Sequence, residues 1–122
     1  MSKRSLGSAA EEHVAGLLTA GGWSVLRRNL RTPYAEVDLV ARDPAGVLVL
    51  VEVKARHPLD FCDGEDHLGL RQRRRLEAAL TWLAERQAAP RGLRLDLVVV
   101  HQAGGQVLGV ERFEGLAGIE PA

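Results

Sequence analysis

Acidic side chains interrupt two segments that otherwise have the apolar pattern of β-strands. In AEVDLVAR, strand alternation places Glu36 and Asp38 on one face and the valine and leucine that follow each of them on the other. In VLVLVEVKAR, the same alternation places Glu52, Lys54 and Arg56 on one face. A hairpin of these two segments would bring the two charged rows side by side.

Carboxylates placed in this way suit Mg²⁺ or Mn²⁺, hard cations that use few protein oxygens and keep water and phosphate oxygens as further ligands. Such an ion would orient a phosphodiester, lower the pKa of an attacking water and stabilise the leaving oxyanion. Lys54 beside it could hold that water or neutralise charge that builds on the phosphate. The pattern therefore favours metal-assisted phosphodiester hydrolysis.

The same residues also suit a cross-strand salt bridge, with Lys54 between Asp38 and Glu52 on a solvent-facing row. The composition bears on this alternative, because Lys3 and Lys54 are the only lysines beside fourteen arginines. The chain therefore has a compact ammonium, whose pKa responds to its surroundings, at only two positions. The presence of one of them at Lys54 favours a chemical role for that residue.

The elements that position these residues follow the order αβββαββ. Helices are predicted over residues 6–20 and 70–88, and strands over 23–30, 35–42, 47–55, 93–101 and 106–112. The unbroken apolar run at 47–51 indicates a central strand covered on both faces. We expect one α/β domain over residues 1–122, a central mixed sheet flanked by helices, a mobile loop at 57–70, and a frayed or short helical tail at 115–122.

The chain of 122 residues carries sixteen basic and sixteen acidic side chains, so its formal net charge is zero. No overall basic field steers a polyanion towards it, which counts against a generic nucleic-acid binder. An aromatic content of 4% offers no base-stacking platform of the kind found in single-strand binders. One cysteine excludes an internal disulfide. No signal peptide or membrane span is predicted, so we expect a soluble cytoplasmic protein.

Several ordered motifs resemble those of the UPF0102 family, also called the YraN family. These small bacterial proteins have a restriction-endonuclease-like fold akin to archaeal Holliday-junction resolvases. The matching segments are Gly7-Ser8-Ala9-Ala10-Glu11, Arg28-Asn29, Ala35-Glu36-Val37-Asp38-Leu39-Val40, Leu50-Val51-Glu52-Val53-Lys54-Ala55-Arg56 and Arg94-Leu95-Asp96-Leu97-Val98. Alanines replace two of the family's glycines, at Ala10 and Ala35.

The resemblance implies a PD-(D/E)xK-type catalytic core in which Asp38, Glu52 and Lys54 match the motif. Glu11 matches a helix carboxylate that completes a site for Mg²⁺ or Mn²⁺ with Asp38 and Glu52. Gln72 stands where the family usually has a lysine, and it could hold a water or a phosphate. The implied activity is metal-dependent endonucleolytic cleavage of DNA, with branched or damaged DNA as candidate substrates. The alternative, favoured by Gln72 and the zero net charge, is a catalytically silent nucleic-acid-binding or protein-interaction module of the same fold.

Arginines near these motifs are the candidate phosphate contacts. They are Arg28, Arg31, Arg56, Arg71, Arg73, Arg74 and Arg75. The four that lie between residues 71 and 75 also suit a solvated helix face. Because resolvases of related fold act on two-fold substrates, a homodimer is a further expectation.

Overall fold

The computed structural model describes residues 3–59 and 67–121, and it confirms the α/β class and the predicted order of elements. The prediction for residues 60–66, within the expected loop, lies outside the described residues. The elements are α1 (Lys3–Ala20), β1 (Ser24–Arg31), β2 (Glu36–Arg42), β3 (Leu48–Arg56), α2 (Leu70–Ala84), β4 (Leu93–Ala103) and β5 (Gln106–Ile119).

The five strands form one mixed sheet in the order β1-β2-β3-β4-β5. All neighbours are antiparallel except β3 and β4, which are parallel. The predicted β2–β3 hairpin is confirmed, and its turn is built by Asp43, whose Oδ1 accepts the backbone N–H groups of Ala45 and Val47, each at 2.9 Å. Gly46 takes the positive φ of +90° that this turn requires. A parallel pair needs a crossover connection, and α2 lies in the one between β3 and β4.

Two apolar clusters cover the two faces of the sheet, as the continuous apolar strand predicted. One cluster joins α1 to the sheet through Ala10, Val14 and Leu18. The other joins α2 through its inner stripe, which the sequence predicted correctly as Leu76, Ala79, Leu80 and Leu83. The central strand β3 supplies alternate residues to each cluster, so it is buried on both sides.

Helix α2 ends at Ala84, four residues before the predicted end at 88. The inner stripe runs out after Leu83, because the next inward position is the polar Gln87. The backbone N–H groups of Arg86 and Gln87 both bond to the carbonyl of Leu83, so the chain leaves the helix in a tight turn.

Strand β5 is longer than the sequence predicted, and it continues to Ile119 through the segment expected to form a frayed or short helical tail. Its partner β4 holds it from Leu93↔Ile119 to Ala103↔Gln106, with an irregularity between Leu95 and Leu97. At that irregularity the buried Asp96 accepts the N–H of Gly115 at 3.0 Å. A side chain of β4 thus completes the hydrogen bonding where the ladder is interrupted.

Candidate functional site

A fork between β2 and β3 positions the predicted carboxylates. The ladder between the two strands runs from Arg42↔Leu48 to Leu39↔Val51 and then ends. Strand β2 continues along β1, and β3 continues along β4 to Arg56. The first residues of the fork are therefore Asp38 on one strand and Glu52 on the other.

Asp38 bridges the fork with its side chain. Its Oδ2 accepts a hydrogen bond from the backbone N–H of Val53 at 2.7 Å. If the β2–β3 ladder continued past Val51, the backbone of β2 would lie opposite this part of β3 instead of a side chain. This bond fixes one carboxylate oxygen of the half-buried Asp38 in the fork.

The predicted alternation of β2 breaks at Asp38. Val37 packs in the cluster on the α2 side and Leu39 in the cluster on the α1 side, so the prediction that they share a face was wrong. On the neighbouring strand, Asn29 has a φ of +52° and lies between the pairs Arg28↔Leu39 and Leu30↔Val37. The left-handed residue therefore lies opposite Asp38, at the point where the alternation of β2 breaks.

Glu52 lies on the α2 side of β3 and is 3% exposed. Gln72 Nε2 of α2 donates a hydrogen bond to Glu52 Oε2 at 2.5 Å. Lys54 Nζ lies 3.8 Å from the same oxygen, as expected for two residues on one face. Burial, followed by hydrogen bonding and charge interaction with Asp38, raises the pKa of Glu52 to about 9, against a smaller lowering by Lys54.

Glu11 reaches the same cluster from α1, on the opposite side of the sheet from Gln72. Burial raises the pKa of Glu11 to about 7, with Asp38 adding to the shift through charge and a hydrogen bond. The structure thus brings together all five predicted catalytic residues: Glu11, Asp38, Glu52, Lys54 and Gln72.

The donor chemistry of this cluster fits Mg²⁺ or Mn²⁺. Within residues 3–59 and 67–121, no three His, Cys, Asp or Glu side chains converge closely enough to hold a metal ion by themselves. Mg²⁺ does not require such a cage, because one or two carboxylates complemented by water and phosphate oxygens commonly bind it. Asp38 and Glu52 supply two carboxylates, and the pKa of Glu52, raised by burial and by Asp38, shows that Lys54 alone compensates the negative charge incompletely.

Three of the seven arginines predicted to contact phosphates have partners within the protein. They are Arg28 with Glu12 of α1, Arg56 with His67, and Arg73 with Glu77 and the Leu116 carbonyl. These three guanidinium groups help to hold the elements in place, since each joins its own element to another or to a helical neighbour.

The other four arginines are exposed. Arg31 ends β1 opposite Glu36. Arg71, Arg74 and Arg75 lie on α2 and, among the residues that the structure describes, make no side-chain hydrogen bond or ion pair. The three line a groove of about 520 Å³ together with Tyr34, Leu70 and Ala78.

Tyr34 is the residue at this groove that the sequence analysis missed. It is 53% exposed and lies in the β1–β2 turn, four residues before Asp38. The signal was the Thr-Pro-Tyr turn immediately before the acidic strand, because a rigid turn presents its bulky residue at a fixed place.

Neither α1 nor α2 combines the length and apolar character needed to cross a membrane, and the structure describes no other α-helix in residues 3–59 and 67–121.

Comparison with known families confirms the resemblance drawn from the motifs. The model of the Uncharacterised protein family UPF0102 matches residues 10–100. A UPF0102 protein of Corynebacterium efficiens is 38% identical over 117 residues, which cover 93% of each chain. Another, of Beutenbergia cavernae, is 39% identical over 115 residues, or 93% of this chain and 97% of the relative.

Solved structures with a similar arrangement include a repair endonuclease from Pyrococcus abyssi, with a TM-score of 0.49 and 15% identity over 80% of this chain. A complex of EndoMS with double-stranded DNA has a TM-score of 0.46 and 19% identity over 79% of this chain. This chain spans 39% and 38% of the length of these two structures.

Proposed function

The chain belongs to the UPF0102 family, and we propose that it is a metal-dependent endonuclease-like protein that hydrolyses phosphodiester bonds in DNA. The observation that carries the proposal is the strand fork, where Asp38 and Glu52 meet with Lys54 and with Glu11 from α1. Buried carboxylates beside one lysine are costly to the fold unless they bind a cation, so the arrangement suits a charged ligand.

Asp38 and Glu52 are the residues that would hold Mg²⁺ or Mn²⁺, and Glu11 would add negative charge beside Asp38. When bound, the ion would lower the pKa of a water molecule and offset negative charge on the phosphate. The backbone N–H of Val53 orients Asp38, and the Gln72 amide orients Glu52. These hydrogen bonds fix the carboxylates before the substrate arrives, which reduces the entropy lost in reaching the reactive geometry.

Lys54 Nζ would donate hydrogen bonds to the reacting phosphate. In the hydrolysis, a water oxygen bonds to phosphorus, the bond from phosphorus to one sugar oxygen breaks, and the water proton is passed on to solvent or to the leaving oxygen. Lys54 would neutralise the charge that builds on the phosphate oxygens during this step. Its partial exposure, 21% of the side chain, leaves the ammonium within reach of a substrate.

Asp38→Asn tests the proposal with the least structural change, because the amide oxygen can still accept the Val53 N–H. We expect wild-type protein with Mg²⁺ or Mn²⁺ to cleave linear or branched DNA, and Asp38→Asn and Lys54→Ala to cleave about a hundredfold more slowly or worse. Arg91→Gln, an exposed arginine beside the β2–β3 turn at the other end of the sheet, is the matched control and keeps wild-type activity.

The competing candidate is a catalytically silent nucleic-acid-binding module, and the neutral Gln72 beside Glu52 is the observation in its favour. The same assay separates the two. DNA binding with no cleavage by the wild type in either metal, or cleavage that survives Asp38→Asn, contradicts the nuclease proposal. Calorimetric titration with Mn²⁺ adds a second readout, since the heat of binding is expected to disappear in Asp38→Asn.

A further inference from the structure

We propose that the groove lined by Tyr34 and the α2 arginines binds an unpaired DNA strand, with Tyr34 stacking on a base and Arg71, Arg74 and Arg75 contacting phosphates. This inference rests on the proposed function in taking DNA as the ligand. It adds a substrate preference, namely DNA with unpaired nucleotides beside the cleavage site. It departs from the expectation drawn from the low aromatic content, because it requires only one exposed ring, that of Tyr34, rather than a platform of several.

The arginines form one face of α2. Arg71 and Arg75 are one turn apart, Arg74 lies between them on the same side, and Ala78 continues the row by a further turn. All three guanidinium groups are exposed, and none has a hydrogen-bonded or ionic partner in the described part of the chain. Like charges at these spacings repel one another, so the surface is complementary to an anion such as a phosphate backbone.

Arg86 is an example of an arginine whose guanidinium group contacts other residues of the protein. Its guanidinium lies 4.3 Å from the ring centre of Trp82 and also donates to the Trp82 carbonyl. Within residues 3–59 and 67–121, the groove arginines have neither kind of contact, and Tyr34 is the one aromatic residue that lines their groove. Their side chains are therefore available to a ligand.

A rigid turn holds Tyr34 in the groove. Thr32 Oγ1 accepts the N–H groups of Tyr34 and Ala35 at 3.2 and 3.0 Å, and donates to the Ala35 carbonyl at 2.7 Å. Pro33 further restricts the backbone between them. Tyr34 is 53% exposed, and a ring on a fixed turn loses little conformational entropy when a base stacks on it.

An unpaired strand fits this surface better than a duplex. Bases inside a duplex present only their edges, whereas stacking on an aromatic side chain requires the free face of a base. Leu70, 65% exposed at the start of α2, extends the apolar surface beside the ring. The groove also shares its two elements with the site, because Tyr34 precedes Asp38 and the arginines surround Gln72.

The test is fluorescence anisotropy in EDTA, with a labelled single strand of about 12 nucleotides and the corresponding duplex as probes. We expect the wild type to bind the single strand more tightly than the duplex. Tyr34→Ala should weaken single-strand binding about tenfold and leave duplex binding nearly unchanged, whereas Tyr34→Phe should restore it. Arg71→Gln, Arg74→Gln and Arg75→Gln should each weaken binding, and Arg91→Gln should not.

Tighter binding to the duplex, or a Tyr34→Ala variant that binds the single strand like wild type, overturns the inference. Circular dichroism of each variant confirms that it is folded, which we expect because these side chains are exposed. Binding in EDTA is independent of hydrolysis, so the two proposals can fail separately. A wild type that binds through Tyr34 but never cleaves contradicts only the nuclease, and one that cleaves with no effect of Tyr34→Ala contradicts only the groove.

Discussion

Glu52 combines the deepest burial in the site with the largest shift in pKa. Its carboxyl group is hydrogen bonded to Gln72, faces Asp38 and has Lys54 at 3.8 Å, so negative charge exceeds positive charge among these four residues. A folded protein without metal therefore keeps this group protonated at neutral pH. If the proposed function is right, this arrangement provides a site for a cation at some expense of stability, a common relation between active sites and folds.

Glu52→Gln is expected to stabilise the metal-free protein at pH 8 but not at pH 4. The pKa of Glu52 is about 9 when folded against an ordinary 4.5, so folding takes up a proton and stability falls as the pH rises from 4.5 towards 9. Glutamine removes that dependence while keeping the shape of the side chain. We expect the melting temperature in EDTA to rise by roughly 5 °C at pH 8.

The exposed Glu85→Gln serves as the matched control, because its side chain is 66% exposed. It should leave the melting temperature unchanged at both pH values. Equal gains for Glu52→Gln at pH 4 and pH 8 would contradict a cost that arises from ionisation.

The sequence predicted which residues converge in the candidate site better than it predicted the strand geometry around them. Alternation within VEVKAR correctly placed Glu52 and Lys54 together, because this part of β3 is a regular strand paired continuously with β4. It failed around Asp38, where the alternation breaks opposite the left-handed Asn29 of a different strand, a feature that β2 alone does not reveal. Tyr34 was missed because the groove that it lines is completed by α2, which lies far away in sequence and close in space.

At the scale of the elements, local patterns predicted the order of the helices and strands and the buried stripe of α2. They did not predict the residues at which α2 and β5 end. Strand β5 shows the reason. Its second half has glycines at 115 and 118 and little apolar periodicity, so nothing local indicates a strand. It forms because β4 offers a partner along its whole length and because Asp96 accepts the N–H of Gly115 where the ladder is irregular.

Arg94→Met is expected to destabilise the protein and to loosen the second half of β5. Arg94 donates to both oxygens of the fully buried Asp96, at 2.8 and 3.1 Å. Removing the guanidinium leaves that carboxylate without its charged partner, a loss of about 3 kcal/mol in the free energy of unfolding. The melting temperature should fall by roughly 10 °C, and amide exchange over residues 113–119 should accelerate.

Arg91→Met is the matched control for this change, because Arg91 is an exposed arginine three residues earlier in the chain. It should leave both measurements near wild type. A similar loss in the two variants would show that the ion pair with Asp96 is not what holds β5.

At the scale of the whole molecule, the zero net charge hides an uneven distribution. The sequence places four acids between residues 60 and 66, outside the described residues, and four arginines between 71 and 75. Three of those arginines line the groove, while Asp38 and Glu52 are withdrawn into the fork. Long-range steering of DNA should therefore be weak, and binding should depend on a few local contacts.

The salt dependence of DNA binding measures how many phosphate contacts the protein makes. Each phosphate contact to a single strand releases about 0.7 of a counterion, so the logarithm of affinity falls with the logarithm of salt concentration in proportion to their number. Combining Arg71→Gln, Arg74→Gln and Arg75→Gln should reduce this slope by about 2. Tyr34→Ala should lower the affinity at every salt concentration and leave the slope unchanged, because stacking involves no counterion. Titrations of the labelled single strand between low and moderate salt measure both effects. A slope that the triple variant leaves unaltered would place the phosphate contacts elsewhere on the molecule.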